Sequence, residues 1–154
     1  MADTYGDLDQ IDKSILDVLS HNGRITVTEL AKHVGLSKTP CQIRLKRLID
    51  DDFIQGFKAK LNPAKMCLEH VCFVEVTMSD TREAALNAFN DAVAQIPQIE
   101  QCHMIAGSFD YLLKIRTADI QNYRRVLGES ISSLPHVANT STHVSMQSVV
   151  DEIT

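Results

Sequence analysis

Residues 26–48 read Thr-Val-Thr-Glu-Leu-Ala-Lys-His-Val-Gly-Leu-Ser-Lys-Thr-Pro-Cys-Gln-Ile-Arg-Leu-Lys-Arg-Leu, an order typical of two helices joined by a sharp turn. Thr26 is a suitable N-cap for the first of them. Apolar residues then recur at helical spacing, at Val27, Leu30, Ala31 and Val34. Gly35 permits the positive φ that a sharp turn needs, Ser37 caps the next helix, and Pro40 lies in its first turn. The pattern predicts a helix-turn-helix, whose second helix enters the major groove of DNA.

The segment from Lys32 to Ile49 contains five basic residues and no carboxylate. Such a patch suits a polyanion, although a basic helix face is often only a solvated surface. The ordered helix-turn-helix pattern favours DNA. On a helical wheel, the face opposite the buried one is centred on Ile43. The predicted DNA-contacting residues are Ser37, Lys38, Thr39, Gln42, Ile43, Lys46 and Arg47. Ile43 has two open interpretations, contact with a thymine methyl group or exposure without consequence.

The whole chain excludes several other classes of protein. It has 154 residues, 44% of them apolar, and a net charge of −5 that hides an even balance of nine basic and nine acidic residues in positions 1–60. No apolar run approaches the roughly 18–20 residues that span a bilayer, and the first residues do not form a secretory signal. The four cysteines have no metal-ligand spacing and are expected to be reduced thiols. We therefore expect a cytoplasmic protein.

The flanks of the helix-turn-helix complete a small domain. Apolar residues at helical spacing between Leu8 and Leu19 predict a first helix that ends before Asn22-Gly23. After the third helix, Phe57, Ala59 and Leu61 alternate with lysines and predict a short strand or wing. We expect a DNA-binding domain over residues 1–61 and a hinge over residues 62–69.

Residues 70–154 contain a two-fold echo of strand, helix and strand, in which Leu134-Pro135 repeats Ile96-Pro97 at a distance of 38 residues. The expected elements are a strand over 71–78, a helix opened by a capping box at Asp80–Glu83, a strand over 99–105, a strand over 111–116, a helix from about Asp119 that buries Ile120, and a last strand through about Val150. Two such units predict a ferredoxin-like βαββαβ sandwich, and hence an α+β fold for the chain. One sheet face stays open, for which sheet-to-sheet packing in a homodimer is the simplest partner.

The loop between the two repeats, residues 106–111, is the most chemically distinctive segment of this domain. Gly107 permits unusual backbone geometry, and Asp110 offers a carboxylate. A small zwitterion such as an amino acid fits these groups, with Asp110 binding its ammonium. Alternatively, Asp110 satisfies the amides of its own turn.

Several motifs occur in order along the chain, among them Leu8-Asp-Gln-Ile-Asp12, Glu29-Leu-Ala31, Val34-Gly-Leu-Ser37, Phe53-Ile-Gln-Gly56, Leu61-Asn-Pro63 and Gly107-Ser-Phe-Asp-Tyr-Leu-Leu-Lys114. In these the chain resembles the Lrp/AsnC family over nearly its whole length. The resemblance implies a winged helix-turn-helix followed by a ferredoxin-like domain called RAM. It implies dimers that assemble further, commonly to octamers, and an amino-acid effector between RAM domains. The matching effector positions are Gly107, Ser108, Phe109, Asp110 and Tyr111, with Thr140 and Thr142 on the last strand.

Three departures from the family pattern leave the operator and the effector open. Lys38 replaces a frequent proline, Gln42-Ile-Arg44 replaces a more acidic tract, and Ser108 replaces a frequent acidic residue. The run Ser37-Lys-Thr-Pro-Cys-Gln42 is similar to that of the proline-dehydrogenase activators within the family.

The sequence thus predicts a sequence-specific transcriptional regulator of amino-acid metabolism, modulated by an amino acid. The alternative is an architectural DNA-binding protein of the same fold that ignores ligands. We do not expect an enzyme, a cofactor or a metal site. His103 and His143 could face each other across strands, but no nucleophile–base pair accompanies them, and we expect them to be ordinary sheet residues. Two helices per dimer predict pseudo-palindromic half-sites about one helical turn apart.

Overall fold

The computed structural model describes residues 8–150. The chain divides into two compact units, and the boundary in the sequence lies between Lys60 and Leu61. The first unit contains three helices, and the second contains a four-stranded sheet with helices. Within the described range, no helix is both long enough and apolar enough to span a membrane.

The helices of the first unit begin with strong local signals. They are α1 (Gln10–His21), α2 (Val27–His33) and α3 (Lys38–Asp50). Asp9 and Asp12 form a capping box on α1, and Thr26 and Glu29 form one on α2. The predicted N-cap at Thr26 is therefore confirmed. Ser37 occupies the N-cap position of α3, but its side chain makes no capping hydrogen bond. The expected cap at Ser37 is therefore correct in position and wrong in chemistry.

The turn between α2 and α3 depends on Gly35, which has a φ of +72°. A residue with a Cβ would be strained at that backbone angle. The turn lets one face of each helix reach a common apolar core, which contains Leu8, Ile15, Leu30, Ala31, Cys41 and Leu48. Burial of these residues leaves the opposite face of α3 in solvent.

Of the two expectations for residues 57–61, a short strand or a wing, the strand is not formed. Residues 54–62 belong to no sheet, and the first unit as described has no other strand to pair with them. An alternating apolar pattern cannot make a strand without a hydrogen-bonded neighbour. Phe57 instead packs beside Gly23, with its Cδ1 3.1 Å from where a Cβ on that glycine would lie.

The second unit has the predicted βαββαβ order, within an α+β fold. Its elements are β1 (His70–Met78), α4 (Glu83–Val93), β2 (Ile99–Met104), β3 (Tyr111–Thr117), α5 (Ile120–Val126) with a π-helical turn over Leu127–Ile131, and β4 (Val137–Val144). The strands are antiparallel in the order β2-β3-β1-β4. Alternate residues of β1 and β3 pack on the helices, in a core that includes Val74, Val76, Phe89, Leu113, Ile115 and Ile131.

The capping box expected at Asp80 is absent. The helix α4 begins at Glu83 with Arg82 in the N-cap position and without a side-chain cap. The carboxylate of Asp80 instead accepts hydrogen bonds from the backbone and guanidinium of Arg82. These contacts hold the pKa of Asp80 at about 2. A nearby guanidinium has outcompeted the helix amides for the carboxylate.

Two further expectations fail toward the C-terminus. Ile120, expected in the core, is 48% exposed and occupies the first position of α5. The last strand ends at Val144 and does not continue to Val150. Ser145 donates to the carbonyl of Val71, near the start of β1, so the residues beyond it have no length of β1 left to pair with.

Candidate DNA-binding and effector sites

The outer face of α3 presents the predicted DNA-contacting residues together. Ile43, at its centre, is 66% exposed. The other six, Ser37, Lys38, Thr39, Gln42, Lys46 and Arg47, are also exposed. Cys41 and Leu48 anchor the opposite face in the core. One helix therefore carries both the packing stripe and the outward stripe that the spacing predicts.

Two of the basic residues on this face, Lys46 and Arg47, form ion pairs within the protein. Lys46 Nζ lies 2.5 Å from Asp50 Oδ2, one turn along the same helix, and both groups are exposed. Arg47 Nη2 lies 2.5 Å from Asp12 Oδ2, and the Asp12 side chain is only 1% exposed. The pair at Lys46 is a weak surface contact, whereas the pair at Arg47 has a buried partner.

Asp12 also binds a second arginine, which sequence reasoning did not include in the site. Arg44 Nη1 lies 2.9 Å from Asp12 Oδ1 and 2.6 Å from Asp9 Oδ2. The Asp12 backbone N–H and the Arg44 guanidinium both donate to Asp9, and they lower the pKa of its carboxyl. Asp9 and Asp12 in turn raise the pKa of Arg44. We call Asp9, Asp12, Arg44 and Arg47 the α1–α3 ion network.

The sequence did contain a signal for this network. Asp9 and Asp12 are three residues apart at the start of α1, and Arg44 and Arg47 are three apart on α3. Residues three apart lie one above the other on a helix, so two acidic and two basic groups have matching spacing. The expected DNA role of Arg47 hid this match.

The loop at residues 106–110 leaves Gly107 and Ser108 exposed and fixes Asp110. Asp110 Oδ2 accepts a 2.7 Å hydrogen bond from the Met78 backbone, at the end of β1. Its own N–H donates to Val76, and its carbonyl accepts from Ile105. The carboxylate therefore caps a neighbouring strand and does not satisfy its own turn, and Oδ1 has no hydrogen bond from the described residues.

The remaining predicted effector residues divide into two groups. Phe109 is half-buried in the loop, and Tyr111 is 2% exposed and stacks on Phe89 at 4.4 Å between ring centroids. Burial raises the pKa of Tyr111. Thr140 pairs with Val76 on the opposite side from Tyr111, so β1 separates it from the loop. Thr142 lies two residues further along β4 and bonds to the hydroxyl of Tyr123. At the loop, Gly107 and Ser108 are thus exposed, and the half-buried Asp110 supplies the carboxylate.

His103 and His143 do not face each other. They lie on β2 and β4, the two outer strands, with β3 and β1 between them. His143 Nε2 instead lies 3.3 Å from Glu75 Oε1 on the adjacent strand. The sheet order keeps the two histidines apart, and both are ordinary strand residues, as expected from the sequence.

A helix-turn-helix with an exposed basic helix, followed by a ferredoxin-like domain with a polar loop, defines a class of ligand-responsive DNA-binding proteins. Comparison with known proteins supports that class. Residues 8–55 match the model of the winged helix-turn-helix DNA-binding family, and residues 71–154 match that of the Lrp/AsnC ligand binding domain. The chain belongs to the Lrp/AsnC family: it is a DNA-binding transcriptional regulator with an amino-acid-responsive ligand domain, and not an enzyme.

Individual relatives are similar over almost the whole chain. A proline dehydrogenase transcriptional activator of Rhizobium radiobacter is 64% identical, over 93% of this chain and 92% of its own. One of Rhodobacter capsulatus is 51% identical, over 94% of each. A solved transcriptional regulator from Neisseria meningitidis, in complex with L-methionine, has 29% identity and a TM-score of 0.86, over 94% of this chain and 93% of its own.

Proposed function

We propose that this regulator reads its operator with the outer face of α3 and adjusts its DNA binding to an amino acid bound at the loop around Asp110. The proposed DNA contacts are Ser37, Lys38, Thr39, Gln42, Ile43 and Lys46, with Arg47 considered separately below. The observation that carries the DNA half is the exposure of Ile43 among polar and basic neighbours on a helix whose other face is buried. An apolar group in that position suits a thymine methyl in the major groove.

The effector half rests on the geometry of Asp110. One carboxylate oxygen is held by the Met78 amide, which fixes the side chain, while Oδ1 accepts no hydrogen bond from the described residues. A fixed, half-satisfied carboxylate beside the exposed Gly107 and Ser108 suits the ammonium of an amino acid. We include Phe109, Tyr111, Thr140 and Thr142 as supporting positions that shape the loop and the neighbouring strand.

L-Proline is our first candidate for the effector. The relatives at 64% and 51% identity are proline dehydrogenase activators, so we propose that this chain activates a gene for proline oxidation. A regulator of such a gene is useful when it senses the amino acid that the enzyme consumes. The proposal places the protein in the cytoplasm, where both DNA and free amino acids are available.

Thermal unfolding of the full chain in the presence of each of the twenty amino acids tests the effector site. A ligand at about 100 times its Kd adds roughly 2.7 kcal/mol, a shift of several degrees. We expect L-proline to give that shift and Asp110→Asn to abolish it. The matched control is Asp91→Asn, which removes one exposed carboxylate from α4 and should keep the shift.

Other outcomes of this experiment are equally informative. A shift with another amino acid that Asp110→Asn abolishes would keep the site and replace proline. No shift with any of them, in a sample that binds DNA, would favour the ligand-independent architectural alternative. A shift that survives Asp110→Asn would move the effector away from this loop.

We further propose that residues 1–61 bind DNA, that residues 62–69 connect the domains, and that residues 70–154 bind effector and assemble the protein. The sheet face without helices carries Phe73 and Leu112 among charged pairs such as Lys114–Glu100. A second copy covers this face in a dimer, and dimers assemble further, to octamers. Sedimentation should show a dimer or larger assembly for the wild-type chain and loss of the dimer for Phe73→Asp. An unchanged dimer in the variant would contradict this arrangement.

A further inference from the structure

The α1–α3 ion network contains a buried carboxylate inside a DNA-binding unit. Asp12 is 1% exposed, yet it accepts hydrogen bonds from Arg44, Arg47 and the Asp9 backbone. An ionised carboxylate is expensive to bury unless cationic and hydrogen-bonding partners compensate for the lost water. The two arginines of α3 are those partners, so Asp12 ties α1 to the helix that faces DNA.

The geometry of the network constrains the orientation of α3. Asp9 and Asp12 are one turn apart on their segment, and Arg44 and Arg47 are one turn apart on theirs. The rest of the α1–α3 contact is apolar, through residues such as Ile15 and Leu48. Apolar packing is non-directional, whereas hydrogen bonds between guanidinium and carboxylate demand a particular orientation. The apolar stripe decides which face of α3 is buried, and the network adds a directional constraint on the angle of that helix relative to α1.

The network also changes the charge that DNA would meet. The basic segment counts five cations in sequence, but Arg44 and Arg47 are matched by Asp9 and Asp12. Arg47 is half-exposed and is already hydrogen-bonded to a buried group. A phosphate that turned the guanidinium away from Asp12 would leave that carboxylate with fewer partners, which is costly for a buried charge.

We propose that Asp12 is a positioning residue for operator recognition: it holds Arg44 and Arg47 and so sets the angle at which α3 presents Ile43 and its neighbours. Arg47 acts through this contact and not as a phosphate ligand. The inference rests on the proposed reading of DNA by α3 and adds to it a residue outside the recognition helix.

The variant Asp12→Asn separates positioning from simple electrostatics. Simple electrostatics predicts tighter binding to every duplex, whereas positioning predicts weaker preference for the selected one. The probes are a duplex selected by the wild-type protein from a random library and a scrambled duplex of the same composition. If Arg47 served as a phosphate ligand, its release would tighten binding to both duplexes and steepen the salt dependence by about one ion. We expect instead at least a tenfold loss of preference for the selected duplex, with the salt dependence of the scrambled duplex unchanged.

Asp17→Asn is the matched control. Asp17 lies on the same helix, is exposed, and takes no part in the network, so the substitution removes the same charge without releasing an arginine. It should leave the preference for the selected duplex at the wild-type value. Tighter binding of both duplexes by Asp12→Asn, or an unchanged preference, would overturn the proposal.

Arg47→Lys gives a second test if Asp12→Asn fails to fold. Lysine keeps the charge that a phosphate needs but cannot reproduce the planar fork of the guanidinium. Positioning predicts that Arg47→Lys loses preference for the selected duplex, as Asp12→Asn does. The double variant should lose little more of that preference than either single variant. Full preference in Arg47→Lys would overturn the proposal. If the wild-type protein itself preferred no duplex, the proposed reading by α3 would fail, which is a distinguishable result.

Discussion

At the scale of single residues, exposure and partner decide what each side chain is available to do. Ile43 is 66% exposed, whereas Arg47, four residues along, is bound to a buried carboxylate. The helical pattern of the sequence places both residues on the same face of α3. Their different surroundings lead to different expectations for substitution.

Ile43→Ala should change the sequence preference of DNA binding more than its overall strength. The isoleucine carries no charge, so its loss leaves the contacts to phosphate intact and removes an apolar contact to a base edge. Selection from a random DNA library should show a relaxed preference at one base position. An unchanged preference would reduce Ile43 to an exposed residue without consequence.

Lys38→Gln is the comparison for Ile43. Lys38 begins α3 and is exposed, and we place it at the DNA backbone. Its loss should weaken binding to all duplexes alike and reduce the salt dependence by about one ion. A change of base preference in Lys38→Gln would contradict that assignment.

At the scale of elements, two N-caps that the sequence predicts alike differ in the structure. Thr26 and Ser37 both precede helices and look equally good as N-caps in the sequence. Thr26 forms a full capping box with Glu29, whereas Ser37 makes no side-chain cap. The helix α3 has no acidic residue in its first turn to complete a box, and Pro40 occupies its third position.

Substitution by alanine should therefore affect the two caps unequally. Thr26→Ala should cost about 1 kcal/mol, because it leaves the backbone N–H of Glu29 without its side-chain acceptor. Ser37→Ala should cost roughly a few tenths of a kcal/mol, since no cap is lost. Hydrogen exchange of the buried amides of Leu30 and Cys41 reports both values. Equal losses at the two positions would contradict this account.

Local patterns predicted most of the elements, and competition for partners explains the exceptions. The helices of the first unit and the βαββαβ order follow from periodicity, Gly35 and the repeat. The capping box at Asp80 failed because Arg82 took the carboxylate, and the strand over 57–61 failed because its unit offers no strand to pair with. Arg82 is visible two residues from Asp80, but spacing alone does not say which donor the carboxylate takes, and the lack of a partner strand is a property of the whole first unit as described.

At the scale of the whole molecule, the function depends on coupling between two units that the sequence lets us describe separately. The predicted DNA-contacting residues come from one helix and its N-cap, and all of them are exposed. The effector residues came from a resemblance, and burial separates Tyr111 from the exposed Gly107 and Ser108. The Asp12 contact was missed because it joins residues 35 positions apart.

The most direct test of the account is the Kd for the selected operator, measured with and without each amino acid at saturation. An effector can shift DNA binding only by as much as it prefers one state of the protein, typically about 5–150-fold. We predict a shift in that range with L-proline in the wild-type chain and none in Asp110→Asn. A Kd that stays the same with all twenty amino acids would contradict the claim that this regulator couples DNA binding to an amino-acid signal.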